Sequence, residues 1–342
     1  MKKLRVAVIG CGNISDMHLK SIVKNNKAEL VAVCDNKRER ADTTAEKYNV
    51  KAYYDYEKLI EEESLDVVHL CLPHYLHTPV AEFAFKHNIN VISEKPMSIK
   101  LKDAEHAMNL SKKCNVKYGV IFQCRYKTAQ RFIKKNIENG VLGRVLAARS
   151  TLTWYRPDDY YKSSDWKGTW DKEGGGVLID QAIHSIDLTN WFIDSDPVCA
   201  YANISNRNHK TMSVEDTAEG VIKYKNGVLY SFWAMNNYVT DEPIEIRLVC
   251  ENGKAIISYD EATVYTSDGR VYSSKQDDNN KTELSGKKDY WGFQHYDQID
   301  DFYNSIIEDR KPEIDCSDAY KTQKIICAIY ESAKSKREIS IK

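Results

Sequence analysis

The chain has almost no charge bias: over 342 residues, 49 Lys and Arg stand against 50 Asp and Glu, a formal net charge of -1. A protein that binds duplex nucleic acid shows a clustered basic excess, whereas these cations are interleaved with acids, so no nucleic acid partner is expected. Long hydrophobic runs are lacking too. The apolar stretch after Lys2 and Lys3 is short and runs straight into glycines, so it is expected to be a first strand rather than a signal peptide or membrane anchor. Paired cysteines are the third absence. The nine cysteines are scattered, no CxxC occurs, and Cys34 and Cys71 sit inside apolar runs. They read as reduced, buried thiols of a cytoplasmic protein.

What is present is 42% hydrophobic and 29% charged residues, the balance of a globular enzyme rather than of a disordered or fibrous chain. At about 150 residues per domain the length fits two domains with cores large enough to need no disulfide staples. No internal repeat and no long linker is visible.

From Leu4 to about Gln123 short β-branched runs alternate with amphipathic stretches, the pattern of βαβ units in a parallel sheet. Strands are expected at Leu4 to Ile9, Glu29 to Cys34, Val67 to Leu72, Asn90 to Ser93 and Lys117 to Ile121, with helices at Lys37 to Tyr48, Thr78 to Lys86 and Leu101 to Lys113. After Arg144 the rhythm changes to longer alternating strands: Arg144 to Trp154, Val198 to Ser205, Ala218 to Tyr224, Val228 to Tyr238, Ile244 to Val249 and Lys254 to Tyr259. Asn226-Gly227 and Asn252-Gly253 read as type I′ hairpin turns with positive φ at both central positions. The polar stretch Ser274 to Lys288 reads as a mobile surface loop, followed by helices at about Tyr296 to Glu308 and Cys316 to Lys334. The expected fold class is α/β: a parallel sheet in residues 1–123, then a mostly antiparallel sheet with a few helices in residues 124–342.

Three motifs carry chemistry. The first, Gly10-Cys11-Gly12-Asn13-Ile14-Ser15, lies between a strand and a helical stretch and is followed by Asp35 at the end of the second strand. Glycines let the backbone approach a pyrophosphate at a helix N-terminus, and the acid accepts hydrogen bonds from a ribose hydroxyl. A carboxylate there repels the 2′-phosphate of NADP, so NAD is favoured, although Lys37 and Arg38 stand nearby. The second motif is Ser93-Glu94-Lys95-Pro96: a lysine at the carboxyl end of a parallel strand points into the ligand crevice, and Pro96 fixes the turn that aims it. The third runs from Gly174-Gly175-Gly176 through Asp180 and His184 to Asp187. Asp180 and His184 are one helical turn apart, so the carboxylate can orient the imidazole for general acid/base work. The same three residues could instead ligate a metal, or His184 could be a satisfied structural histidine. His69 and His74 lie near the expected cofactor side and read equally well as structural. The segment from Trp154-Tyr155-Arg156 through Tyr160-Tyr161 to Trp166 and Trp170 concentrates aromatics in a polar loop, a natural platform for a sugar face.

Jointly, Val8-Ile9-Gly10-Cys11-Gly12, Cys71-Leu72-Pro73 with His77, Glu94-Lys95-Pro96 and His184-Ser185-Ile186-Asp187 resemble the Gfo/Idh/MocA oxidoreductase family over nearly the whole chain. The resemblance implies an N-terminal Rossmann domain, residues 1–123, and a C-terminal α/β domain, residues 124–342, built on a large open, mostly antiparallel sheet. A last helix is able to pack back on the first domain. The family also implies homodimers or homotetramers joined through that sheet. It further implies an NAD site formed by Gly10, Gly12, Asn13, Ile14, Asp35, Leu72, Pro73, His77, Glu94 and Lys95, and no metal. His184 becomes the general base, Asp180 the residue that holds its tautomer, and Lys95 the group that stabilises alkoxide charge. Arg125, Tyr155, Arg156, Tyr161 and Trp166 fall on the substrate side with Lys95, Asp180 and His184. The activity implied is NAD-dependent oxidation of a secondary ring hydroxyl of a sugar, glycoside or cyclitol, with C3 of a hexopyranoside favoured. Alternatives are a nucleotide-sugar dehydrogenase, although those often carry Asn at the position of Asp180, a reductase of a non-sugar ketone or imine, or a non-catalytic NAD-binding sensor.

Overall fold

The computed structural model of the protein describes residues 3–258, 260–275 and 294–342. Tyr259 and all but the first two residues of the stretch expected as a mobile loop, Ser274 to Lys288, lie outside the described residues. Ser274 and Lys275 themselves close a strand. The chain divides into two compact units: Met1–Gln123 with Asp278–Tyr320, and Cys124–Asp277 with Lys321–Lys342.

The first unit holds a six-stranded parallel sheet of β1 (Leu4–Ile9), β2 (Ala28–Cys34), β3 (Lys51–Tyr53), β4 (Val67–Leu70), β5 (Asn90–Ser93) and β6 (Tyr118–Val120), in the order β3-β2-β1-β4-β5-β6. Val6, Ala7, Val8 and Ile9 are all essentially inaccessible to solvent, the unbroken apolar run required of a strand covered on both faces. The strands were legible from such runs. The three-residue edge strand β3 and the helix Tyr56–Glu62 behind it were not, although Asp55 caps that helix by accepting the Glu57 N–H at 2.9 Å. Because β1 sits between β2 and β4, the direction of winding reverses there, and the carboxyl ends of β1 and β4 flank the crevice where such sheets bind ligands.

One expectation is corrected in this unit. The expected second domain, residues 124–342, includes the helix Gln294–Ile307, yet its Ile299, Phe302 and Tyr303 pack in one core with Val6, Val8, Ile22 and Val33. Its Gln298 also serves the sheet edge, accepting the Phe122 N–H at 2.9 Å and donating to the Val120 carbonyl at 2.8 Å. An apolar face that fits this sheet outweighs about 170 residues of sequence separation, because loop closure grows only logarithmically with length.

The second unit is built on β7 (Val145–Thr153), β8 (Pro197–Ser205), β9 (Thr217–Tyr224), β10 (Leu229–Met235), β11 (Glu245–Cys250), β12 (Gly253–Ser258), β13 (Glu261–Thr266), β14 (Val271–Lys275) and β15 (Ile339–Ser340). Their order is β14-β13-β12-β11-β7-β10-β9-β8-β15. The sheet is mixed, since β7 and β10 run parallel. Alternation divides its faces. Ala148, Leu152, Ile222, Tyr230, Phe232, Ile246 and Leu248 are buried, whereas Tyr201, Val221, Leu229, Trp233 and Val249 are exposed. The helices Thr128–Glu138 and Ile183–Ile193 pack against strands of this sheet. The type I′ expectation at the hairpins does not hold: Gly227 has positive φ and Asn226 does not. The Tyr224 N–H donates to the Val228 carbonyl at 3.0 Å just beyond the ends of β9 and β10, so the turn itself is Lys225 to Gly227, and a loop of three residues needs a left-handed residue only at its end.

Candidate active site

The cofactor crevice begins at Gly10, which closes β1. Its φ is +98°, and a Cβ there would lie 2.2 Å from the Cys71 carbonyl oxygen. Only glycine lets the ends of β1 and β4 come this close. Beyond it, a Cβ added at Gly12 would meet nothing within 4 Å, so the backbone lies open for a pyrophosphate to approach. The helix Ser15–Lys24 starts there without a side-chain cap; the Ser15 and Met17 N–H groups donate to the Gly12 and Ile14 carbonyls at 3.2 and 3.1 Å, and the positive end of the helix dipole lies at this turn. Asp35 stands at the end of β2, accepting the Cys11 N–H at 2.9 Å and the Lys37 N–H at 2.8 Å. A carboxylate has about four lone-pair positions, so two remain for ribose hydroxyls. The residues present therefore fit a dinucleotide.

Leu72 and Pro73 follow β4 and are half-buried, while His77 is fully buried. The His77 ring ties two turns together, with Nδ1 2.7 Å from the Pro96 carbonyl and Nε2 2.8 Å from the Leu72 carbonyl. Glu94 is also buried, its carboxylate turned toward His18 and His295 at 3.1 and 3.2 Å. Within the run from Val91 to Ser98, Lys95 is the one side chain that is not buried. The strand thus anchors its neighbours and presents the lysine.

The glycine-rich motif of the second unit is built the same way. A Cβ at Gly176 would lie 1.9 Å from the Glu215 carbonyl oxygen, so glycine is required by close packing. The Glu215 carboxylate caps the segment, accepting the Gly176 N–H at 2.9 Å and the Leu178 N–H at 3.0 Å, with the Tyr330 hydroxyl donating at 2.9 Å. Leu178–Ala182 forms a π-helical turn that passes into the α-helix Ile183–Ile193. Such turns recur at functional sites. From Gly174 to Asn190 only Asp180 and His184 are not buried. The Tyr160 hydroxyl and the Gln181 amide both donate to Asp180 Oδ2 at 2.9 Å, and Lys167 donates to the Tyr160 hydroxyl.

Sequence reasoning misses Glu215, Tyr330 and Lys167, since no local pattern ties them to the motif, and it places Tyr160 only in the aromatic loop, not on Asp180. Burial pushes the Glu215 carboxyl up to about 7 despite its hydrogen bonds. Between its ordinary value of 4.5 and about 7, the folded chain keeps a proton that the unfolded chain has lost. The Glu215 contribution to stability therefore falls as pH rises through that window, by ~3 kcal/mol. Glu215→Gln is expected to flatten this part of the stability profile, measured by urea unfolding on either side of the window.

The aromatic loop separates into platform and core. Tyr155 is 49% exposed and Trp166 is half-buried, as a platform requires. Tyr161, expected beside them, is a core residue: it is 2% exposed and its hydroxyl accepts from Asn236 at 2.6 Å. Arg156 is likewise buried, with Nη1 on both Asp241 oxygens at 2.9 and 3.0 Å and its guanidinium over the Trp154 ring. Arg125, expected on the substrate side, is buried and forks onto Asp187 at 2.6 and 2.7 Å. Asp187 also accepts from Thr322 at 2.9 Å, which occupies the third member of the metal alternative. Among the described residues, the one group close enough to hold a metal ion is His18, Glu94 and His295.

Residues 4–122 match the model described as the oxidoreductase family, NAD-binding Rossmann fold, and residues 134–341 match that family's C-terminal alpha/beta domain. The chain is 26% identical to the D-glucoside 3-dehydrogenase of Escherichia coli, over 99% of this chain and 97% of that protein. It is 27% identical to the myo-inositol 2-dehydrogenase of Thermotoga maritima, over 79% and 75%. The crystal structure of the WlbA dehydrogenase of Bordetella pertussis, in complex with NADH and UDP-GlcNAcA, has the same fold, with a TM-score of 0.86 at 24% identity over 100% of this chain and 99% of that one. Among the described residues no helix is long and apolar enough to cross a membrane. With both of its domain models matched in order along the chain, the protein belongs to the Gfo/Idh/MocA family of NAD(P)-dependent oxidoreductases.

Proposed function

We propose that this protein is an NAD-dependent dehydrogenase oxidising a secondary ring hydroxyl of a sugar, glycoside or cyclitol, with C3 of a hexopyranoside favoured. The observation that carries the reading is the selective presentation of Lys95, Asp180 and His184 from otherwise buried motif segments. Two relatives named for a cyclitol and a glycoside support the substrate class. Asp35 supports NAD over NADP, and Arg38 is drawn onto the Tyr54 ring, 4.1 Å from its centroid.

His184 takes the hydroxyl proton as general base, and the Asp180 carboxylate, held by Tyr160 and Gln181, favours the imidazolium that results. The Lys95 ammonium stabilises alkoxide charge as the proton leaves. A bound NAD would supply the hydride acceptor for the carbinol carbon. Tyr155 and Trp166 offer ring faces on which a sugar stacks. The test is the near-ultraviolet absorbance of NADH on mixing the protein with NAD, and separately NADP, and a panel of inositols, glucosides, free hexoses, sugar phosphates and nucleotide sugars. Growth with one hexose or cyclitol class supports the reading. Silence across the panel, with NAD binding intact by calorimetry, replaces it with a sensor.

The nine free thiols fit a reducing cytoplasm. The exposed sheet face supports a homodimer or homotetramer: Tyr201 stands opposite Val221 in register, and with Leu229, Trp233 and Val249 they place exposed apolar side chains on four strands. Trp233→Glu combined with Val221→Lys is expected to shift the protein to monomers in sedimentation velocity with the fold retained.

A further inference from the structure

The first unit contains a buried chain of titratable side chains that the reaction above does not use. The Tyr303 hydroxyl lies 2.8 Å from His69 Nε2, His69 Nδ1 lies 2.8 Å from His18 Nδ1, and His18 Nε2 lies 3.1 Å from Glu94 Oε1. His295 Nε2 reaches the same carboxylate oxygen at 3.2 Å. His18, His69 and Tyr303 are wholly buried, and His295 and Glu94 nearly so.

Donor and acceptor rules assign the protons. An ionised Glu94 only accepts, so His18 and His295 both carry hydrogen on Nε2. A neutral His18 then offers a bare Nδ1, which accepts from His69 Nδ1–H. That leaves His69 Nε2 bare, to accept the Tyr303 hydroxyl. One set of tautomers thus satisfies every contact with all the rings neutral. Burial favours the same state by lowering the proton affinity of His18 and His69. At Glu94 burial opposes the charge, but the hydrogen bonds from His18 and His295 outweigh it and hold the carboxyl well below its usual range.

The other Glu94 oxygen, Oε2, accepts the backbone N–H of Lys95 at 3.2 Å. We propose that His18 and His295 are positioning residues for Lys95: gripping Glu94 Oε1 from two sides, they fix the carboxylate so that Oε2 holds the Lys95 amide and the turn that aims the ammonium. His69 and Tyr303 lock the His18 tautomer that the grip needs. The consequence for catalysis rests on the reading of Lys95 under Proposed function, whereas the grip itself does not.

The experiment uses the full chain with His295→Leu, which removes the donor, and His295→Gln, which places an amide N–H near the position of Nε2. Exchange of the Lys95 backbone amide is followed by NMR, unfolding midpoints report global stability, and metal is measured in the purified wild type. In His295→Leu the Lys95 amide is expected to exchange about tenfold faster or more, beyond any change at the distant β1 amides. On a substrate that wild type turns over, kcat falls about tenfold or more while KM stays within about twofold. His295→Gln restores both. If His295→Leu fails to fold, His295→Asn, whose shorter amide falls away from Glu94, takes its place. Unchanged Lys95 exchange in a folded variant, a glutamine variant that behaves like the leucine one, or stoichiometric metal bound to the three side chains overturns the proposal. Absence of turnover by wild type on every polyol removes the dehydrogenase reading alone, and the exchange result still decides the grip.

Discussion

Replacing His184 by alanine is expected to lower kcat/KM on the best polyol substrate by about 10²–10⁴-fold, the usual contribution of a positioned general base. Lys95→Ala is expected to cost about 10²–10³-fold through lost stabilisation of the alkoxide. Both side chains are partly exposed within buried segments, so neither truncation empties a core, and unfolding midpoints should stay near wild type, as should NAD binding in His184→Ala. Asp180→Ala should cost less than losing His184, because it acts through the imidazole. Stopped-flow NADH formation across pH separates the roles: His184→Ala should lose the limb set by the base, whereas Lys95→Ala keeps it at reduced amplitude. Full turnover by either alanine variant would remove the role assignment.

Arg125→Ala is expected to destabilise the folded chain by about 3–5 kcal/mol, because it strands a buried carboxylate. Arg125 and Asp187 are 3% and 1% exposed, joined by two hydrogen bonds, and Asp187 is further held by Thr322. The guanidinium also stands over Trp191, 5.7 Å from the ring centroid. The fork geometry satisfies both partners at once, so removing one leaves the other charged in a dry site. Replacing both, as Arg125→Met with Asp187→Leu, should recover much of the loss, since an apolar pair of similar volume needs no compensation. Denaturant midpoints of the three proteins decide the matter. An Arg125→Ala protein as stable as wild type would mean that the pair is hydrated in solution.

Arg125 is a residue whose role its sequence neighbours do not specify. Arg125 follows the last strand of the dinucleotide domain, and a cation there resembles a substrate ligand. Its actual partner is 62 residues away in sequence, and no local pattern distinguishes an arginine that meets a substrate from one that meets a buried aspartate. Tyr161 is similar. Tyr155, Tyr161 and Trp166 share one aromatic polar loop, yet folding exposes the first and buries the second under Asn236. The helix Gln294–Ile307 carried a clear apolar stripe that could not say which sheet it would cover.

Features that depend on neighbours along the chain are legible in it. Unbroken β-branched runs specify strands buried on both faces, Gly10 specifies a close approach at positive φ, and the four-residue spacing from Asp180 to His184 puts both on one helical face. Features that depend on partners remote in sequence emerge with the completed fold: the Glu215 cap beneath Gly176, the pairing of Arg125 with Asp187, and the two histidines converging on Glu94 from positions 18 and 295. The two groups differ in the range of the forces that set them. Backbone conformation and periodicity are set by local sterics and by the repeat of one element, whereas a buried charge must be met by whichever complementary group the completed fold brings within about 3 Å.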